Sequence, residues 1–90
     1  MKHYNITVSG KVQGVFYRAS TKTKAVELGL KGFVKNQSDG SVYIEAEGNE
    51  EDLEVLLNWC NQGPPNAIVN EVKFEETEMI GFRKFEVKYF

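Results

Sequence analysis

The chain has 90 residues, a formal net charge of −2, one cysteine and one histidine. That length suits one domain over residues 1–90, built on a single core and leaving no room for a second. A lone cysteine excludes an internal disulfide and fits a reducing cytosol, one Cys with one His excludes a zinc cluster or a Cys–His catalytic pair, and the mildly acidic balance argues against a general nucleic-acid surface, which needs clustered Lys and Arg.

The first residues enter strand alternation directly, without the apolar run of a signal peptide, and no stretch reaches the length of a membrane span. The expectation is a cytoplasmic monomer or small oligomer, the monomer being the simpler, with no membrane and no nucleic-acid partner. Tyr4, Ile6 and Val8 alternate with His3, Asn5, Thr7 and Ser9, the period of a strand with one buried face. His3 reads as a surface residue at the start of that strand.

The stretch Ser9 to Arg18, Ser-Gly-Lys-Val-Gln-Gly-Val-Phe-Tyr-Arg, leaves the strand and runs into a helix. Gly10 and Gly14 permit positive φ, so successive N–H groups can turn inward as an anion-binding nest, and the following helix adds its own unpaired N–H groups and the positive end of its dipole. Arg18 stands at the rim, a permanent cation whose planar fork matches two phosphate oxygens. The same pattern also serves as an ordinary strand-to-helix connection, and Arg18 alone reads equally as a solvated arginine. It is not a Walker-type loop: the glycines are too close together and the Lys-Ser or Lys-Thr pair is missing, so nucleotide binding is not indicated.

Tyr17, Thr21, Ala25 and Leu28 recur at helical spacing, predicting a helix from Tyr17 to Leu28 with Gly29 as its C-terminal cap. Leu30 to Gln37 reads as a strand, Ser38-Asp39-Gly40 as a hairpin turn, and Ser41 to Glu47 as the return strand, broken by Gly48. Asn49 suits an N-cap, and Glu50, Glu51 and Asp52 suit the first turn of a helix whose stripe is Leu53, Leu56, Leu57 and Cys60. Cys60 therefore reads as core. Gly63-Pro64-Pro65 ends that helix. Two further strands are expected, about Val69 to Thr77 and about Lys84 to Phe90. The order β-α-β-β-α-β plus a terminal strand is an α+β, ferredoxin-like two-layer sandwich, a split βαβ with two helices on one face of an antiparallel sheet. In that arrangement Asn36 can lie alongside Gln13 to Arg18, although by position alone Asn36 reads as a hairpin residue bonded to backbone.

The segments Gly10-Lys11-Val12-Gln13-Gly14-Val15-Phe16-Tyr17-Arg18 and Gly32-Phe33-Val34-Lys35-Asn36-Gln37-Ser38-Asp39-Gly40-Ser41-Val42 closely resemble the two signatures of the acylphosphatase family. The likeness continues through Gly48, the turn Gly63-Pro64-Pro65-Asn66-Ala67 and Phe85-Glu86-Val87-Lys88-Tyr89. It implies hydrolysis of small acyl phosphates to a carboxylate and inorganic phosphate, with no metal and no cofactor. It also implies that Arg18 binds phosphate, that Asn36 positions water, and that the backbone N–H groups of Gln13, Gly14, Val15, Phe16, Tyr17 and Arg18 form the phosphate cradle. Three positions depart from the family pattern: Glu47 and Gln37 stand where Gln and Thr are common, and Ile68 where a basic residue is often seen. They bear on rate and substrate preference.

The rival function is a non-catalytic ferredoxin-like module that binds a small anion or RNA, since this fold serves many functions. Tyr43 and Phe33 offer aromatics for RNA, but the Lys/Arg-Gly-aromatic signature is absent. A second rival resembles the N-terminal module of hydrogenase-maturation carbamoyltransferases; without appended zinc-binding or transferase segments, the free-standing enzyme is the expectation.

Overall fold

The structure, a computed structural model, describes residues 1–89. The elements are β1 (Lys2–Lys11), α1 (Tyr17–Glu27), β2 (Lys31–Asn36), β3 (Val42–Gly48), α2 (Glu50–Gln62), β4 (Ile68–Thr77) and β5 (Phe85–Lys88). The last expected residue of β5, Phe90, lies outside the described residues. The sheet order is β4-β1-β3-β2-β5. β1 pairs antiparallel with β3 and β4, and β2 antiparallel with β3. β1 and β2 therefore point the same way with β3 between them, the split βαβ arrangement, and their C-terminal ends emerge on one edge of the sheet.

The ferredoxin-like sandwich is the one expected, with one difference. β5 runs parallel to β2, so the five-stranded sheet is mixed rather than wholly antiparallel. Strand direction at that edge depends on the path of the β4–β5 connection, which crosses the sheet before β5 begins, and alternation within β5 carries no trace of it.

One core fills the space between sheet and helices. The inward faces of the strands supply Ile6, Val8, Val34, Val42 and Ile44, and the helices supply Tyr17, Ala25, Leu53, Leu56 and Cys60, all buried. Cys60 is thus core, as its place in the stripe predicts, and burial pushes its thiol up to about 12. α1 ends at Glu27 with Leu28 as cap, and Gly29 follows at φ 72. The Gly29 and Leu30 N–H groups bond back to the carbonyls of Val26 and Ala25 at 3.0 and 2.9 Å, which satisfies two of the helix's orphan acceptors. Asn49 occupies the N-cap of α2 in extended backbone, but its side chain makes no capping bond; the acidic first turn answers the dipole instead.

The two helices are pinned to each other at one polar point. Tyr17 O–H donates to the Cys60 carbonyl at 2.7 Å, and its ring packs at a tilt against Trp59 with centroids 5.4 Å apart. That carbonyl belongs to the last turn of α2, where no intrahelical donor is available.

His3 is fully buried, which corrects the surface position expected for it. The expectation took the helix-free face of the sheet as open to water, whereas the β4–β5 connection is laid across it. Glu47 holds that connection: its carboxylate accepts the N–H groups of Ile80 at 2.5 Å, Gly81 at 3.0 Å and Phe82 at 2.9 Å, and faces His3 Nδ1 at 2.7 Å. His3 Nε2 faces Asn5 Oδ1 at 2.8 Å and Glu45 Oε1 at 2.9 Å, and the Phe82 ring covers the imidazole at 5.8 Å. With acceptors on both ring nitrogens, only the doubly protonated imidazolium satisfies the cluster. Glu47, a departure from the family pattern, is therefore a clamp for this connection.

Tyr17→Phe leaves the Cys60 carbonyl without a donor and is expected to lower unfolding free energy by about 1–2 kcal/mol in urea denaturation; an unchanged midpoint would contradict the anchor. In the clamp, burial disfavours the His3 imidazolium, but hydrogen bonds to Glu47 and Asn5 with the charges of Glu45 and Glu47 outweigh it and hold its pKa above the ordinary 6.5. Burial likewise raises the Glu47 carboxyl, but His3 and the N–H groups of Ile80, Phe82 and Gly81 outweigh it and hold it below the ordinary 4.5. The His3 contribution is complete below its unfolded value and lost as pH rises through the raised folded value; the Glu47 contribution is complete above its unfolded value and lost as pH falls through the lowered one. Stability from the clamp is thus greatest between pH 4.5 and 6.5. His3→Gln is expected to remove the alkaline limb of this profile, as read by urea midpoints against pH, and an alkaline slope equal to wild type would refute the assignment.

Candidate active site

The loop between β1 and α1 has an unusual backbone. Gly14 sits at φ 75 and Phe16 at φ 65, the latter being the one non-glycine residue with positive φ among those described. A left-handed conformation costs a residue with a Cβ about 1–2 kcal/mol, and here it curls the chain tightly enough to start α1 directly at Tyr17. The N–H groups of residues 14–19 have no acceptor among the described residues; the ladder of α1 begins with Ser20 N–H to Phe16 O at 3.0 Å. A row of unpaired donors at the start of a helix, curved by left-handed residues, is the geometry of an anion cradle.

The side chains of this loop divide by task. Val15 is buried in the core, Tyr17 is bonded to α2, and Phe16 is turned out with 79% exposure. The Gln13 amide reaches across to the β2–β3 hairpin, donating to the carbonyls of Gln37 at 2.8 Å and Ser41 at 2.9 Å. Neither Gln13 nor Val15 lines the cavity at the ends of β1 and β2, so any part they take in anion binding is through main-chain N–H.

A cavity of about 290 Å³ opens at the edge where β1 and β2 end, and Gly14, Phe16, Arg18, Ala19, Asn36 and Tyr89 are among its lining residues. It brings Arg18 and Asn36 together, the juxtaposition expected from the split topology. The Arg18 guanidinium lies over the Tyr89 ring, 4.6 Å from its centroid, and its Nη1 donates to the Lys88 carbonyl at 3.4 Å. Stacking fixes the plane of the fork and leaves its edges for oxygen acceptors. Asn36, at the end of β2, is partly buried, and its Oδ1 is buried without a hydrogen-bond partner among the described residues. An unpaired buried oxygen is rare enough to mark a place where a ligand or water belongs. It also sets aside a plain hairpin role bonded to backbone.

Tyr89 and Ala19 are lining residues that sequence reasoning did not place in the site, and Tyr89 is the one that meets Arg18. It comes from the far end of the chain, brought beside Arg18 by the parallel pairing of β5 with β2, and no spacing within the chain signals that contact. Gln37 and Ile68, the other departures from the family pattern, lie outside this lining: Gln37 Nε2 donates to Ser41 Oγ at 2.8 Å, and Ile68 is exposed at the start of β4. Among the described residues no three His, Cys, Asp or Glu side chains converge as metal ligands, and no helix is long and apolar enough to cross a membrane.

Comparison with known proteins agrees with this geometry. A family model described as Acylphosphatase matches residues 4–87. The chain is 48% identical over 90 residues to an acylphosphatase of Thermotoga maritima, covering 100% of each, and 53% identical over 76 residues to one of Marinobacter nauticus, covering 84% of this chain and 83% of the other. The crystal structure of the Bacillus subtilis acylphosphatase aligns with a TM-score of 0.96 at 36% identity, over 99% of this chain and 100% of that one. By sequence over nearly its whole length and by fold, the chain belongs to the acylphosphatase family.

Proposed function

We propose that this chain hydrolyses small acyl phosphates, with Arg18 and the loop amides of residues 13–18 holding the phosphoryl group and the Asn36 side chain orienting the attacking water. Family membership supports the reaction. One observation carries the division of roles: Arg18 and Asn36 line a single cavity beside a loop whose N–H groups are unpaired, and the Asn36 Oδ1 has no partner of its own among the described residues.

The chemistry needs little more. An acyl phosphate is a mixed anhydride whose leaving group is a carboxylate, already a weak base, so no general acid is required at the departing oxygen. What remains is to hold the phosphoryl group, stabilise charge on its equatorial oxygens and align a water, which is positioning and electrostatics. Arg18 supplies a fixed charge and a bidentate fork. The Asn36 carboxamide holds the water through hydrogen bonds without ionising, leaving an oxygen lone pair free to attack phosphorus. Since an amide is not a base near neutrality, the water's proton passes to a phosphate oxygen or to solvent. The same proposal makes the chain one domain over 1–90, working as a cytoplasmic monomer without a nucleic-acid partner. The mixed charge of the helix-free sheet face, where Lys35 and Lys88 stand beside Glu45 and Glu86, is what supports this last point.

The test is hydrolysis of a simple aryl acyl phosphate, with and without chelator. Asn36→Ala is expected to lower kcat by roughly two to three orders of magnitude while the inhibition constant of inorganic phosphate stays nearly unchanged. Arg18→Ala and Arg18→Lys are expected to lose both turnover and phosphate affinity, because an ammonium cannot reproduce the planar fork. Undiminished turnover in Asn36→Ala, or phosphate binding retained in Arg18→Ala, would refute these roles. Wild-type turnover is expected to survive chelation, and its loss would overturn metal-independent hydrolysis.

A further inference from the structure

β1 and β2 are not neighbours in the sheet, because β3 lies between them. No ladder of backbone bonds therefore fixes the loop after β1 against the end of β2, although one carries Arg18 and the other Asn36. The hydrogen-bonded link across this gap is the side chain of Gln13. Its Nε2 carries two protons, and both are engaged, one on Gln37 O at 2.8 Å and one on Ser41 O at 2.9 Å. The two acceptors are also saturated. Gln37 O takes Gly40 N–H at 3.1 Å as its second bond, and Ser41 O takes Gln37 N–H at 2.8 Å. The clasp thus closes on the mouth of the hairpin at the residue directly after Asn36.

We propose that the Gln13 side chain is a positioning residue for the reaction: it sets the placement of the phosphate loop relative to Asn36, and touches no substrate atom itself. This rests on the roles given above to Arg18 and Asn36. Within the loop, Arg18 and the amides keep their relation to one another without the clasp, because Val15 and Tyr17 still anchor them. What Gln13 controls is the gap between bound phosphorus and the water on Asn36, where a displacement of about 1 Å can cost roughly a hundredfold in rate.

Gln13→Met keeps the length of the side chain and removes both donors. Its kcat is expected to fall roughly 10- to 100-fold, while the inhibition constant of inorganic phosphate changes by less than about threefold, because the phosphate ligands remain grouped. The decisive comparison is the double variant with Asn36→Ala. If Gln13 acts by placing the loop against Asn36, removing Gln13 from an enzyme already lacking that carboxamide has little further effect on kcat. Equal losses of kcat in the two backgrounds, or phosphate affinity falling as far as kcat, would overturn the placement role. Undiminished activity of Asn36→Ala alone would instead overturn the underlying assignment of Asn36. Gln13→Glu, which at neutral pH has no proton to donate and faces two carbonyl oxygens, serves in the same cycle should Gln13→Met not fold. Being a donor again once protonated, it is also expected to regain kcat relative to wild type as pH falls below about 5.

Discussion

A loop that binds an anion through its main chain cannot also use that main chain to hold itself in place. The N–H groups of residues 14–19 have no acceptor among the described residues, so the rigidity of the cradle has to come from side chains. The alternation of tasks along the loop answers this constraint. Gln13 grips the hairpin, Val15 sinks into the core, and Tyr17 bonds the end of α2, so that the anchors fall on odd positions, with Tyr17 also lining the cavity beside Gly14, Phe16 and Arg18. Pre-organised donors stabilise charge well because they do not have to reorient when it develops.

The same topology explains why both halves of the site meet. A split βαβ sends β1 and β2 in one direction with β3 between them, so the chain leaves both strands on one edge of the sheet. The first half is a loop running into a helix and brings donors. The second is a hairpin mouth and brings an acceptor. β5, added in parallel beside β2, closes the outer wall by carrying the Lys88 carbonyl and the Tyr89 ring to Arg18. Arginine suits that wall because a flat cation can stack on an aromatic ring and still present its edge to oxygens.

Much of this was legible in the chain itself, and the limits have physical causes. Period-two alternation in Tyr4, Ile6 and Val8 and the stripe Leu53, Leu56, Cys60 report burial against the core directly, so strands, helices and their order could be read. Arg18 and Asn36 stood out through linked motifs, and the split topology let them be paired. Burial of His3 could not be read, because alternation says which residues face away from the helices but not what else lies on that side; the cover comes from residues 78–84, more than seventy positions away. The left-handed Phe16 was equally hidden, since nothing in an aromatic side chain announces positive φ, and only its neighbours impose it. Tyr89 escaped for the reason that the direction of β5 did: an edge strand takes its orientation from the path of the connection before it.

Where the chain departs from ordinary folding rules, it does so around one cavity. A left-handed aromatic residue, a buried carboxamide oxygen without a partner and a row of unpaired amides each cost on the order of 1–3 kcal/mol in a fold whose net stability is only about 5–15 kcal/mol. A small core tolerates this when its other polar groups are well satisfied, and here they are: the Glu47 carboxylate has three N–H partners besides His3, and the last turn of α2 has the Tyr17 hydroxyl. These satisfied groups lie on the helix-free face of the sheet and between the helices. The unsatisfied ones belong to Asn36 and to the loop that lines the same cavity. An unpaired acceptor on Asn36 and unpaired donors on the loop are deficits of opposite kind, which in the proposed reaction a phosphoryl group with its attacking water would fill. That complementarity is what joins the strain of the fold to its function.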